Sequence, residues 1–223
     1  MGDELFTKAT TELPKIIPIF PLSGVLLLPQ GSLPLNIFEP RYLMMVKDAV
    51  NSHKIIGLIQ PTDPYADDLN PQLYDTGCVG EITEFEETEN NRVLITLTGI
   101  CRFKIERELP LDELLYRRAE VIYDSFESDL IYDNSVSFDR DRLMSALKTF
   151  FEIRGISADW SAIDELGNEH LMTNLAMACP FGPSEKQALL ECQLTKERSL
   201  MFQALLEMAA YERDGGDSRR PAQ

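Results

Sequence analysis

Ile16-Ile17-Pro18-Ile19-Phe20-Pro21-Leu22, then Val25-Leu26-Leu27-Leu28-Pro29 and Leu33-Pro34-Leu35, is the stretch on which the fold turns. Each apolar run is short, and a proline closes or interrupts it. Proline has no N–H to give a ladder, so strands built this way must end, bulge or lie at an edge. Residues 32–38 make one more extended run, with Pro34 inside it. Glu39-Pro40-Arg41-Tyr42 then starts a helix, because proline at the first helical position gives up no bond. Leu43, Val46 and Val50 recur at i, i+3 and i+7, which predicts one apolar face and an end near Asn51.

Downstream, the β-branched run 54–60 reads as a buried strand and the Pro/Asp-rich 61–72 as a loop. Two longer strands are predicted near 78–86 and 92–100, joined by the turn residues Glu89-Asn90-Asn91. Alternation turns Val93, Ile95 and Leu97 to one side, toward a core. Gly99 permits a bend before Phe103 and Ile105, and 118–123 is a last strand. Beyond Ser125 the period changes from 2 to 3.6. Helices are predicted over 139–154, stopped by Gly155, and around 160–166, capped by Ser157. Others follow over 168–179, from a Ser184/Gln187 capping box, and from Thr195 to about Glu212. Several short strands with turns between them imply a closed or nearly closed β-structure. The expected class is α+β, divided as a flexible lead 1–14, a β-rich subdomain 15–124, a helical subdomain 125–212 and a disordered tail 213–223.

A chain of 223 residues with 44% hydrophobic content buries enough surface for a core without metals or disulfides. The 37 acidic residues against 21 basic ones leave a formal charge of −16, which repels phosphate backbones and anionic lipid. Neither a nucleic-acid nor a membrane partner is therefore expected. The polar, acidic amino terminus lacks an apolar leader, and the default location is cytoplasmic.

Chemistry is hard to find in the chain. Cys78, Cys101, Cys179 and Cys192 form no CxxC pair and are joined by only two histidines, His53 and His170, so no metal site and no cofactor are expected. Phosphate-cradling glycine loops, GxSxG and HExxH are all missing from the sequence. Cys179 and His170 lie nine positions apart on one predicted helix, about 13 Å along its axis, too far to act together. A small hydrolase using Cys78 with His53 stays open as a rival, as does a structural domain that self-associates through its helical half. The acidic cluster Glu81, Glu84, Glu86, Glu87 and Glu89 reads as a solvated strand edge that discourages unwanted pairing.

Certain motifs stand in a recognisable order: Ile17-Pro18-Ile19-Phe20-Pro21-Leu22, Leu28-Pro29, Leu33-Pro34-Leu35 and Phe38-Glu39-Pro40-Arg41-Tyr42. Gly57-Leu58-Ile59-Gln60, Thr76-Gly77-Cys78-Val79-Gly80-Glu81-Ile82 and Thr98-Gly99-Ile100-Cys101-Arg102-Phe103 continue it, as does Glu185-Lys186-Gln187-Ala188-Leu189-Leu190-Glu191. Together they resemble the Lon amino-terminal domain family over about residues 15–208. That family takes in the substrate-binding domain of the ATP-dependent protease Lon, free-standing bacterial homologues and the corresponding domain of cereblon. The resemblance implies a PUA-like β-barrel followed by a helical bundle, and a role in recognising protein substrates or partners. The ATPase and peptidase modules of full Lon have no counterpart before Gln223, so the expected function is non-catalytic binding of protein or unfolded polypeptide. Leu28, Pro29, Phe38, Arg41 and Tyr42, near the barrel rim and the first helix, are the candidate contacts. Homo-oligomerisation is a further expectation.

Overall fold

The protein is described from a computed structural model, which covers residues 12–65, 68–88, 90–131 and 137–216. Its first half is a mixed sheet. The strands are β1 (Ile16–Pro21), β2 (Ser32–Ile37), β3 (Ile55–Ile59), β4 (Thr76–Glu87), β5 (Val93–Glu108) and β6 (Arg118–Ile122), and α1 (Pro40–Val50) follows β2. They run in the order β2-β5-β4-β3-β1-β6, and β6 also pairs with the far end of β5, so the pairings return on themselves. β1 and β3 are parallel and every other pair is antiparallel.

Two of the prolines act as read, while Pro18 lies inside β1, where its pairing passes from β6 to β3. Pro21 is the last residue of β1, and Pro34 sits on β2, which pairs with β5 alone. Residues 25–28 differ from expectation: Leu26, Leu27 and Leu28 are buried and Val25 half-buried, but none belongs to a strand. The chain there crosses β5 so closely that a Cβ on Gly99 would stand 2.0 Å from the Leu28 carbonyl oxygen. Gly99 is thus a point of close approach, and β5 runs on through it with an extra residue opposite Val79 and Gly80. The α1 helix begins at Pro40 and is capped by Asn51, as predicted, but its buried face is Tyr42, Met45, Val46 and Ala49. Leu43 and Val50 flank that face, half-buried. The long methionine at 45 was the deeper anchor.

The core beneath the sheet gathers Ile17, Ile19, Ile55, Ile59, Val79, Cys101, Phe103, Val121 and Phe126. Leu13 joins it at 5% exposure and Pro14 accepts a hydrogen bond from Tyr123, so the end of the expected flexible lead is anchored. Residues 1–11 of that lead and 217–223 of the expected tail lie outside the described residues.

The helices are α2 (Arg140–Arg154), α3 (Trp160–Glu165), α4 (Asn168–Ala178), α5 (Pro183–Glu191) and α6 (Thr195–Gly216), with a 3₁₀ segment at Asp124–Leu130. Asp139 caps α2 and the left-handed Gly155 (φ 65°) ends it. Asp159, rather than Ser157, caps α3, since only its carboxylate reaches the Ala162 N–H. The Ser184 capping box is replaced by Pro183 at the start of α5, with Glu185 accepting from the Gly182 N–H at 2.6 Å. Gln187 is thereby free to be buried.

The described residues form two compact units, one within 12–131 together with 177–191, the other made of 137–176 with 192–216. The first unit thus runs past the expected boundary at Asp124 and also takes in α5. The 3₁₀ segment and α5 belong with the sheet because buried polar side chains hold them there. Arg102, 2% exposed, forks onto Asp129 at 2.7 and 2.8 Å and donates to the Leu190 carbonyl at 3.0 Å. The Gln187 amide donates to Thr76 O at 3.1 Å and accepts from Gln60, whose amide also reaches Pro183 O. The second unit packs α2 against α6, with Leu143, Leu147 and Phe150 buried on one helix and Phe202 and Leu206 on the other.

Candidate functional site

Where β1, β2 and the start of α1 meet, a cleft of about 260 Å³ is lined by Phe20, Pro21, Leu22, Leu35, Phe38 and Tyr42, with Glu39 and Arg41 at its charged side. Its form follows from the Phe38-Glu39-Pro40 junction. The extended backbone at Glu39 (φ −73°, ψ 133°) and the fixed Pro40 turn the chain from strand to helix across two residues. Phe38 is left on the outside, 60% exposed. Tyr42 is drawn inward, 7% exposed, with its ring centroid 4.3 Å from that of Phe20. Burial pushes the Tyr42 hydroxyl up from its usual range, so it stays a neutral donor. Arg41 is fixed from three sides: Glu39 at 2.9 Å, the Leu69 carbonyl at 3.0 Å and the Tyr42 ring, 4.4 Å beneath its guanidinium.

The structure thus brings Phe38, Arg41 and Tyr42 of the candidate contacts into one cleft. Leu28 and Pro29 are not among its lining residues. Leu28 is wholly buried beside Gly99, and Pro29 is half-buried on the same crossing. Phe20, Leu22 and Leu35 were missed. Strand alternation signals which way Leu35 points, but only the tertiary fold sets β1 beside it.

A second groove, about 590 Å³, lies across β2, β5 and β4 and shares Leu35 and Asn36 with the cleft. Directly paired residues stand on one face of a sheet. The pairings therefore make one row of Pro34, Thr96 and Glu84 and the next of Asn36, Leu94 and Glu86. Thr96 donates to Glu84 at 2.6 Å within the first row. Of the acidic cluster noted above, Glu84 and Glu86 line this groove, while Glu89 lies outside the described residues.

Three of the four thiols, Cys78, Cys101 and Cys179, are buried. Cys78 is 1% exposed on β4 opposite Leu58 of β3, whereas His53 is exposed in the turn after α1. Burial pushes the Cys101 and Cys179 thiols up to about 12, which keeps them protonated. Among the described residues, no group of three or more His, Cys, Asp or Glu side chains is placed to hold a metal ion, and no helix is long and apolar enough to cross a membrane.

Comparison with known proteins agrees with this architecture. Lon protease of Parabacteroides distasonis is 26% identical over 88% of this chain, and Lon protease 2 of Myxococcus xanthus is 24% identical over 87%. The chain spans about a quarter of either relative, 24% in both cases. The crystal structure of a Lon N-terminal domain protein from Xanthomonas campestris superposes with a TM-score of 0.57 at 21% identity, covering 85% of this chain and 97% of that one. The N-terminal domain of Mycobacterium avium complex Lon protease gives the same TM-score at 14% identity, covering 89% and 99%. The family model of the ATP-dependent protease La (LON) substrate-binding domain matches residues 16–207, and the chain belongs to that family.

Proposed function

We propose that this chain is a polypeptide-recognition module that binds exposed apolar segments of other proteins in the cleft under Phe38. The observation that carries the reading is Phe38 itself, a large apolar side chain held 60% exposed over an apolar cleft by a fixed strand-to-helix junction. Membership of a substrate-binding family supports it. We read the returning strand pairings as a PUA-like barrel and the helices of the second unit as a bundle. The role assigned is binding, with protein rather than nucleic acid or membrane as partner, in keeping with the charge of −16. Reduced, unfolded protein binds the wild-type chain in a fluorescence-anisotropy titration, and Phe38→Ala weakens it about tenfold, the loss of one partly buried aromatic anchor. Binding no stronger than that of an unrelated acidic protein would sink the reading.

A second reading, self-association, is favoured by the outward face of α6, where Leu200, Met201 and Met208 are 61%, 39% and 59% exposed. Light scattering across concentration decides it: a mass that rises with concentration and reverts in Leu200→Glu supports the reading, and a strict monomer removes it.

A further inference from the structure

The groove beside the cleft has a charge pattern that the cleft lacks. Residues 32–37, 81–87 and 93–98, the three strand segments around it, hold four glutamates and no lysine or arginine. Two of those glutamates, Glu84 and Glu86, close one end of the groove, with the half-exposed Leu94 (40%) in the middle of the Glu86 row and Pro34 and Asn36 at the other end. Nothing in the described structure covers this face: Pro34, Asn36, Glu84, Glu86 and Leu94 are all exposed. Arg92, the cation at the head of β5, lies over the Phe38 ring at 5.6 Å.

From this we propose that the outer face of β2, β5 and β4 selects cationic segments: polypeptides in which lysine or arginine alternates with apolar residues. Resting on the reading of the cleft as a polypeptide site, the proposal names the class of segment bound there. The argument is one of complementarity. A lysine or arginine has a long aliphatic stem and a charged head. The groove offers Leu94 and strand backbone as a floor and two carboxylates two residues apart, about 7 Å, at its end. Alternate side chains of an extended segment point the same way at that same spacing, so every second residue can enter. The shared Leu35 and Asn36 make the groove continuous with the cleft, where Phe38 can take a neighbouring apolar residue. An acidic segment meets repulsion on the same face.

Three labelled peptides of equal length and apolar content, alternating leucine with lysine, glutamine or glutamate, test this by anisotropy titration. The lysine peptide should bind about three- to tenfold tighter than the glutamine one at low salt, the scale of one or two exposed ion pairs. The glutamate peptide should bind weakest. Most of the lysine preference should vanish between about 0.05 and 0.5 M salt as the Debye length shrinks. Glu84→Gln/Glu86→Gln should also bring the lysine peptide's affinity down to that of the glutamine peptide, whereas Glu152→Gln/Glu165→Gln in the other unit should not. Equal binding of all three peptides, or a preference that survives Glu84→Gln/Glu86→Gln, overturns the proposal and leaves the polypeptide site standing. A concentration-dependent dimer abolished by Leu94→Ser would assign the face to a second copy of the chain and overturn it too. Failure of every peptide removes both readings together.

Discussion

The two halves of the β4–β5 hairpin share one ladder and have opposite fates. Near its base, residues 76–80 of β4 are all buried, and Leu97, Ile100, Cys101, Arg102 and Phe103 of β5 lie at 5% exposure or less. Toward its tip, residues 83–87 are all exposed, and Phe85 and Leu94 stand 43% and 40% open. Backbone pairing is regular in both, apart from two bulges. What differs is cover. The base is roofed by residues 26–28, by α5 and by the 3₁₀ segment, and it carries Gly77, Gly80 and Gly99 where other chain comes too near for a Cβ. The tip carries no glycine, only glutamates, β-branched residues and the two open apolar side chains. One sheet is therefore covered at one end and open at the other, and substitutions should sort accordingly.

The base should break hardest at Gly99. A Cβ there meets the Leu28 oxygen at 2.0 Å, and a backbone atom cannot swing aside. Gly99→Ala should cost more than about 4 kcal/mol, at the severe end for single substitutions, read from the urea midpoint. A loss under about 1 kcal/mol would show the crossing to be loose. Asp129→Ala should come next. It strands the Arg102 guanidinium, 2% exposed and 4.6 Å above the Phe126 ring, without its forked partner, at a cost of about 3–4 kcal/mol. Replacing both together, Arg102→Met with Asp129→Leu, should recover part of that loss, because no charge is then left buried alone. Gln187→Ala should cost about 2 kcal/mol, since it leaves Gln60 and Thr76 O short of a partner within the core.

These positions also show why the chain was only partly legible. Local rules carried far. Pro40 began α1, Gly155 ended α2, and alternation put Ile95 and Leu97 inside at 2% and 0% exposure. They failed where a distant segment decides. Residues 25–28 have the composition of a strand, but the close crossing at Gly99 takes them out of the ladder. Helix α5 looked like part of a contiguous helical subdomain, yet Gln187 reaches back 127 positions to Gln60 and ties it to the sheet. The candidate site divides the same way. The Phe38–Tyr42 junction was readable because proline and a change of period mark it. Leu28 was placed with it by motif order, although its side chain is wholly buried. The groove at the hairpin tip went unread because alternation shows that Leu94 opposes Ile95 in direction, and cannot show which of the two faces is covered.

The smallest expected effect on stability is therefore the most telling one about function. At the tip, Glu84→Gln gives up one exposed hydrogen bond to Thr96, and Leu94→Ser gives up a side chain already 40% open to water. Each should shift the unfolding free energy by less than about 0.5 kcal/mol, the ordinary range for surface changes. A scaffold strand would not behave so: the same leucine-to-serine change at Leu97, 0% exposed and three positions along β5, should cost about 3 kcal/mol. The ratio of those two losses, measured in one denaturation series, tests the division directly. If Leu94→Ser proves as costly as Leu97→Ser, the tip is covered in solution and its apolar side chains belong to the scaffold. If it is nearly free, folding does not depend on a leucine there, and the tip stands open to contact with another molecule.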